Sequence, residues 1–222
     1  GIARDSVTGQ NSFEYLYERG VRLARLGFRW ERIQPTLGAP LEATELARYE
    51  ESVEAAGAAG LRVIIDVHNY GVYYFADGRQ PLNSARLTGE HFQDLWQRLS
   101  YNFEGHPAVA AYDLMNEPFN RDGIVASFGQ QAARTWEDLT QAVVGRIRGQ
   151  GDMTAIAIPV YAGMGEVPST HPGGPWIQKD KNVLYTVHQY FDHYYGPGTG
   201  GGKYRQSYDQ ENTYYAENSR EW

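Results

Sequence analysis

The chain has 222 residues, with 20 Lys plus Arg against 27 Asp plus Glu and a formal net charge of −7. Its 41% apolar content excludes global disorder, and the lack of Cys excludes a disulfide scaffold or a thiolate metal site. The acidic balance argues against a nucleic-acid partner, and the apolar runs fall short of the roughly 20 residues that a membrane helix needs.

Taken in order, Phe13 to Arg19 reads as a helix that Asn11 or Ser12 can cap and Gly20 follows. Val21 to Phe28 reads as a strand. Leu46, Tyr49, Val53 and Ala56 recur on one helical face, and Gly60 marks the end of that helix. Leu61 to Val67 is an apolar, β-branched run typical of a strand buried on both faces. Thr88 can cap a helix carrying Phe92, Leu95, Trp96, Leu99 and Phe103, broken by Gly105-His106-Pro107. Ala108 to Met115 is the next strand, and Trp136, Leu139, Val143 and Ile147 mark the next helix. Met153 to Val160 and Val183 to Tyr190 are two further strands. Between them, Pro168, Pro172 and Pro175 favour loop over helix.

Strands alternating with helices predict a parallel sheet with crossover helices. No G-x-G-x-x-G follows a strand, as an open dinucleotide-binding sheet would require. Polar residues instead stand at the C-terminal ends of several strands, where barrel enzymes carry their chemistry. One strand runs into Asn116-Glu117-Pro118, another into His68-Asn69-Tyr70, and a third into His188-Gln189-Tyr190, while Arg25 lies inside the strand from Val21 to Phe28. Each alone has a bland explanation, such as a turn, a core histidine or an edge charge. Together they are costly to bury unless they pair with one another.

Four segments carry a family resemblance: Phe28 to Pro35 (FRWERIQP), Val67-His68-Asn69-Tyr70, Leu114-Met115-Asn116-Glu117-Pro118 and Val187-His188-Gln189-Tyr190. In this order they resemble the cellulase family of glycoside hydrolases, family 5, a group of retaining (β/α)8 glycosidases. The resemblance runs from about residue 12 to about residue 192. It implies that Glu117 is the general acid/base and that Asn116 contacts the sugar 2-hydroxyl. It implies that Arg25 supports the nucleophile, that Tyr190 hydrogen-bonds it, and that His68 and His188 line the site. Retaining hydrolysis needs two carboxyl groups about 5–5.5 Å apart, one protonated and one ionised. Trp30, Asn69, Tyr70, Tyr73 and Trp176 are the candidate substrate-binding residues. Tyr74 lies in the same loop, and sugar rings stack on such aromatic faces.

The family's nucleophile, a Glu closing the seventh strand, has no counterpart. Glu166 follows the wrong strand, and Glu211, Glu217 and Glu221 lie in a polar tail beyond the Gly-rich stretch 196–202. A strand-to-strand repeat of roughly 40 residues would need about 320 for eight units, and such barrels run about 250 and upward. The expectation is therefore an α/β fold, a partial (β/α)8 TIM barrel of roughly strands 2 to 6, with strands 7 and 8 missing. Residues 1–222 form an incomplete catalytic domain, with 1–192 the barrel portion and 193–222 a Gly- and Tyr-rich tail.

The resemblance implies a cellulase-like endo-β-glycosidase acting on β-1,4-linked polysaccharide, secreted, cofactor-free and monomeric when full length, with this fragment inactive. The competing expectations are a non-catalytic carbohydrate-binding protein of the same fold, or specificity for mannan, xyloglucan or glycolipid glycans. A metal-dependent hydrolase built on His188, Asp192 and His193 is disfavoured, because no His-x-His stands on one strand.

Overall fold

A computed structural model of the chain describes residues 9–118, 130–160 and 171–188. Helix α1 (Ser12–Glu18) opens on a reciprocal cap. The Asn11 side chain accepts from the backbone N–H groups of Phe13 and Glu14, and the Glu14 carboxylate accepts from the Asn11 N–H. Strand β1 (Leu23–Phe28) follows, then the short helix α2 (Trp30–Ile33), helix α3 (Ala43–Ala58) and strand β2 (Arg62–Val67). A hairpin of β3 (Val72–Phe75) and β4 (Gly78–Pro81) precedes helix α4 (Gly89–Phe103) and strand β5 (Val109–Asp113). Helix α5 (Gln130–Gly149) leads to strands β6 (Ala155–Pro159) and β7 (Val183–Thr186).

The five strands β1, β2, β5, β6 and β7 form one parallel sheet in chain order. A doubly wound sheet reverses its order at a switch point, and this one does not. Each strand instead lies beside the next, as around a barrel wall.

One face of the sheet packs on the helices. Val63, Ile65 and Val67 of β2 are fully buried there, with Ala24, Leu26 and Phe28 of β1 packed on the same core. Their partners include Tyr49, Val53 and Ala56 of α3, and Phe92, Leu95, Trp96 and Leu99 of α4. Trp136, Leu139, Val143 and Ile147 of α5 complete that layer. Gly57 lets α3 approach β5 closely, since a Cβ there would stand 2.7 Å from the Ala108 Cβ.

Two indole N–H groups tie helices to the strand ends. Trp96 donates to the Leu114 carbonyl at 3.1 Å, and Trp136 to the Pro159 carbonyl at 2.6 Å. At the opposite end, buried Asp152 accepts from Ser100 and Tyr112, joining the start of β6 to α4 and β5. The two indole anchors fix the level of the C-terminal ends of β5 and β6, beside which the candidate site lies.

The predicted elements recur, with β1, β2 and β6 starting one or two residues later than their apolar runs and β5 closing at Asp113, before Met115. Helix α2 and the β3–β4 hairpin are additions to the predicted set. No helix among the described residues is long and apolar enough to cross a membrane.

Candidate active site

Side chains on a strand alternate, so the face opposite the helices carries Arg25 and Gly27 of β1, Asp66 of β2 and Asp113 of β5. Gly27 pairs with Asp66, and Asp66 with Asp113, so the three lie in one row across the sheet. Two acidic residues directly opposite each other repel and are also buried, at 1% and 4% exposure. The pair is tolerable because the Arg25 guanidinium lies between the carboxylates. Its Nε donates to Asp113 Oδ2 at 2.7 Å, and its Nη2 lies 3.0 Å from Asp66 Oδ1. The second of these is a close ion pair off the hydrogen-bonding direction, leaving Asp66 Oδ1 and Asp113 Oδ1 without a hydrogen-bond donor among the described residues.

Burial, opposed by Arg25 and reinforced by the Asp66 charge, pushes the Asp113 carboxyl up to about 6. Burial also raises Asp66, against the His68 hydrogen bond and the Arg25 charge.

The cluster extends to the strand ends. Arg25 Nη2 donates to Asn116 Oδ1 at 3.0 Å, and Asp66 Oδ2 lies 2.7 Å from His68 Nδ1. His68 Nε2 in turn lies 3.2 Å from the Tyr70 hydroxyl, with the two rings edge to face. Tyr70 and Glu117 both hold left-handed backbone, at φ of 56° and 42°, which is uncommon for residues other than glycine. The Glu117 carboxylate meets His188, Oε1 to Nδ1 at 2.9 Å. The Asn116 N–H donates to the Val67 carbonyl, pinning this turn to β2.

Arg25, His68, Tyr70, Asn116, Glu117 and His188 are therefore brought to one end of the sheet. A cleft of about 600 Å³ lies beside β1, lined by Arg25, Gly27, Arg29, Asp66 and His68. Tyr190, Glu166, Asp192, His193 and the tail residues lie outside the described residues. Among the described residues no group of three His, Cys, Asp or Glu stands close enough to hold a metal ion.

Three expected sugar contacts need correction. Trp30 is fully buried between Tyr73 and Phe92, and its indole N–H donates to Gln34. Tyr73 is 2% exposed, with its hydroxyl donating to the Gln34 carbonyl. Asn69 is likewise buried: Oδ1 accepts from the Trp30 N–H, and Nδ2 donates to Glu31 and the Val72 carbonyl. These three build the wall behind the site and offer no face to a ligand. Trp176 is part-buried, stacked on His171, edge-on to Tyr185 of β7 and donating to Thr140 of α5, so its described contacts are with the rest of the protein. Tyr74 is 41% exposed, with the Arg29 guanidinium 5.5 Å from its ring centre.

Asp66, Asp113 and Gly27 were not among the expected site residues. Their signal in the sequence is faint, a lone Asp or Gly inside an apolar strand. At Gly27 a Cβ would stand 3.1 Å from the His68 Cβ and 3.2 Å from Asp66 Oδ2, so its smallness makes room for that pair.

With this geometry in view, the comparisons with known proteins decide the family. The model of "Cellulase (glycosyl hydrolase family 5)" matches residues 3–220. The chain belongs to that family. Among solved family 5 structures, an endo-β-1,4-glucanase of Xanthomonas axonopodis pv. citri is 29% identical with a TM-score of 0.69, over 86% of this chain and 58% of that one. The endoglucanase of Pseudomonas stutzeri, solved with cellobiose, is 28% identical with a TM-score of 0.68, over 81% and 51%. Among curated proteins, a manganese-dependent endoglucanase of Phanerodontia chrysosporium is 27% identical over 82% of this chain and 46% of its own length. The chain thus spans about half the length of the curated relatives it matches. Its five parallel strands and their helices are a partial family 5 barrel.

Proposed function

We propose that this family 5 protein is a retaining endo-β-glycosidase that cleaves β-1,4-linked glucan, with Glu117 as its general acid/base. The observation that carries the reading is Glu117 itself. It follows a barrel strand on left-handed backbone, its carboxylate lies 2.9 Å from His188, and its neighbour Asn116 is held by Arg25. A strained backbone held by its surroundings is common at functional sites. The endoglucanase names of the relatives support the substrate class.

In this mechanism a second carboxylate attacks the anomeric carbon while Glu117 donates its proton to the glycosidic oxygen, releasing the leaving sugar. Glu117 then takes a proton from water as that water displaces the enzyme carboxylate. Arg25 engages the Asn116 oxygen, which leaves the amide nitrogen to donate to the 2-hydroxyl, a bond that strengthens in the oxocarbenium-like transition state. His188 orients the Glu117 carboxyl. Tyr190 is assigned to the nucleophile on the strength of its motif alone, and the nucleophile is not identified among the described residues. A polymeric substrate of this kind lies outside the cell, which makes secretion part of the proposal.

The test is hydrolysis of carboxymethyl cellulose, mannan and xyloglucan by the full-length protein, with the first anomer of the product read by NMR. Fast cleavage of the cellulose derivative with retained β-configuration supports the reading. Binding without cleavage would transfer the protein to the carbohydrate-binding class, and an inverted product would refute the retaining mechanism.

A further inference from the structure

We propose that Asp113 and Asp66 are positioning residues: through Arg25 they set the Asn116 amide against the substrate, and Asp66 also sets the His68 ring. The inference rests on the retaining-glycosidase reading and adds two buried carboxylates to its machinery.

Charge and geometry both point to this role. Two buried acidic residues facing one another across a parallel sheet cost stability. A fold that needed only packing at this row would be served by two apolar residues. What the pair provides is a guanidinium fixed at several points. Asp113 takes Nε, and Asp66 draws Nη2 toward its side. The same Nη2 then has one remaining direction, toward Asn116 Oδ1 at 3.0 Å. An amide whose oxygen is occupied in this way cannot flip without losing a charge-assisted bond. Its nitrogen is therefore the end presented for a sugar hydroxyl.

Asp66 has a second duty. With Oδ2 against His68 Nδ1, it selects the tautomer protonated at Nδ1, and Nε2 is left as the acceptor facing the Tyr70 hydroxyl. One carboxylate thus orders both a strand arginine and a strand-end histidine. Gly27 supports the arrangement from β1 by leaving space beside His68 and Asp66.

A double-mutant cycle tests the relay in the full-length protein, using Asp113→Asn, Asn116→Ala and their combination on carboxymethyl cellulose. Asp113→Asn is expected to lower kcat by about tenfold or more with KM within about twofold, because the lost contact matters in the transition state. In the Asn116→Ala background the same substitution is expected to cost less than about twofold, since its effect passes through the missing amide. Multiplicative losses in the cycle would overturn the inference and reduce Asp113 to a structural residue. Should Asp113→Asn fail to fold, Asp113→Glu replaces it in the cycle. Glu keeps the charge opposite Arg25 and shifts the carboxylate by a methylene, so the same non-additivity with Asn116→Ala is expected, and multiplicative losses again overturn the relay. Failure of the underlying reading shows separately, as a wild-type protein that cleaves no β-glycan.

Discussion

His188 Nδ1 lies 2.9 Å from Glu117 Oε1, joining the end of the β7 segment to the end of β5 across 71 residues of sequence. The contact closes over a backbone turn that Glu117 holds at φ 42°. Its removal leaves the carboxylate without one of its fixed neighbours. His188→Ala is expected to lower kcat on β-glucan by roughly 10–100-fold with little change in KM, the scale of a misplaced reacting group. Steady-state kinetics on a soluble glucan checks it, and an unchanged kcat would remove His188 from the site.

Gly27→Ala inserts a methyl where two site side chains already stand at 3.1 and 3.2 Å. The expected cost is about 1–3 kcal/mol of stability, typical of overpacking. Activity should fall as well, because His68 and Asp66 must move to make room. Urea unfolding and kinetics read the two effects. Loss of stability with full activity would mean that the backbone, and not the site, absorbs the methyl.

Asp113 gives a pH dependence with a definite sign. Its carboxyl is pushed up to about 6 by burial, above the ordinary value of 3.8. The folded state therefore binds the Asp113 proton more tightly than the unfolded chain does. This contribution to stability is fully present below about pH 4 and is lost as pH rises through about 6. Asp113→Asn removes the dependence. Relative to wild type, the variant should gain stability between pH 4 and pH 7, on the order of 2–3 kcal/mol as an upper bound. Urea unfolding of both proteins at the two pH values measures it. A variant that loses ground to wild type as pH rises would show that the Arg25 attraction outweighs burial.

Trp30→Ala tests the correction to the expected sugar contacts. The ring is fully buried against Tyr73 and Phe92, so its truncation should cost about 3–5 kcal/mol. Residual folded protein should keep a near-normal KM, because the indole offers no face to substrate. A variant of normal stability with a KM raised severalfold would restore Trp30 to the binding surface.

Much of this architecture is legible in the sequence because the helix faces and buried strands announce themselves. Phe92, Leu95, Trp96 and Leu99 fall at helical spacing and are all fully buried in α4. The polar strand ends are equally visible, and Arg25, His68, Asn116, Glu117 and His188 do converge. Direction is less legible. Trp30, Tyr73 and Tyr74 all follow strands, yet only Tyr74 faces outward. The hairpin alternates its faces, burying Tyr73 and exposing Tyr74, and Asn69 captures the Trp30 N–H. Asp66 and Asp113 were hard to read for another reason. Each is one acidic residue in an apolar strand, and only the register that sets them side by side reveals a shared arginine.

The most direct measurement of the central claim compares Glu117→Gln with wild type on two substrates, soluble β-glucan and an aryl cellobioside with an activated leaving group. A general acid is needed only for the poor leaving group. Hydrolysis of the glucan should fall by about 10²–10⁴-fold, while the aryl cellobioside should still release its phenol in a rapid first turnover. Undiminished hydrolysis of the glucan by Glu117→Gln would contradict the account.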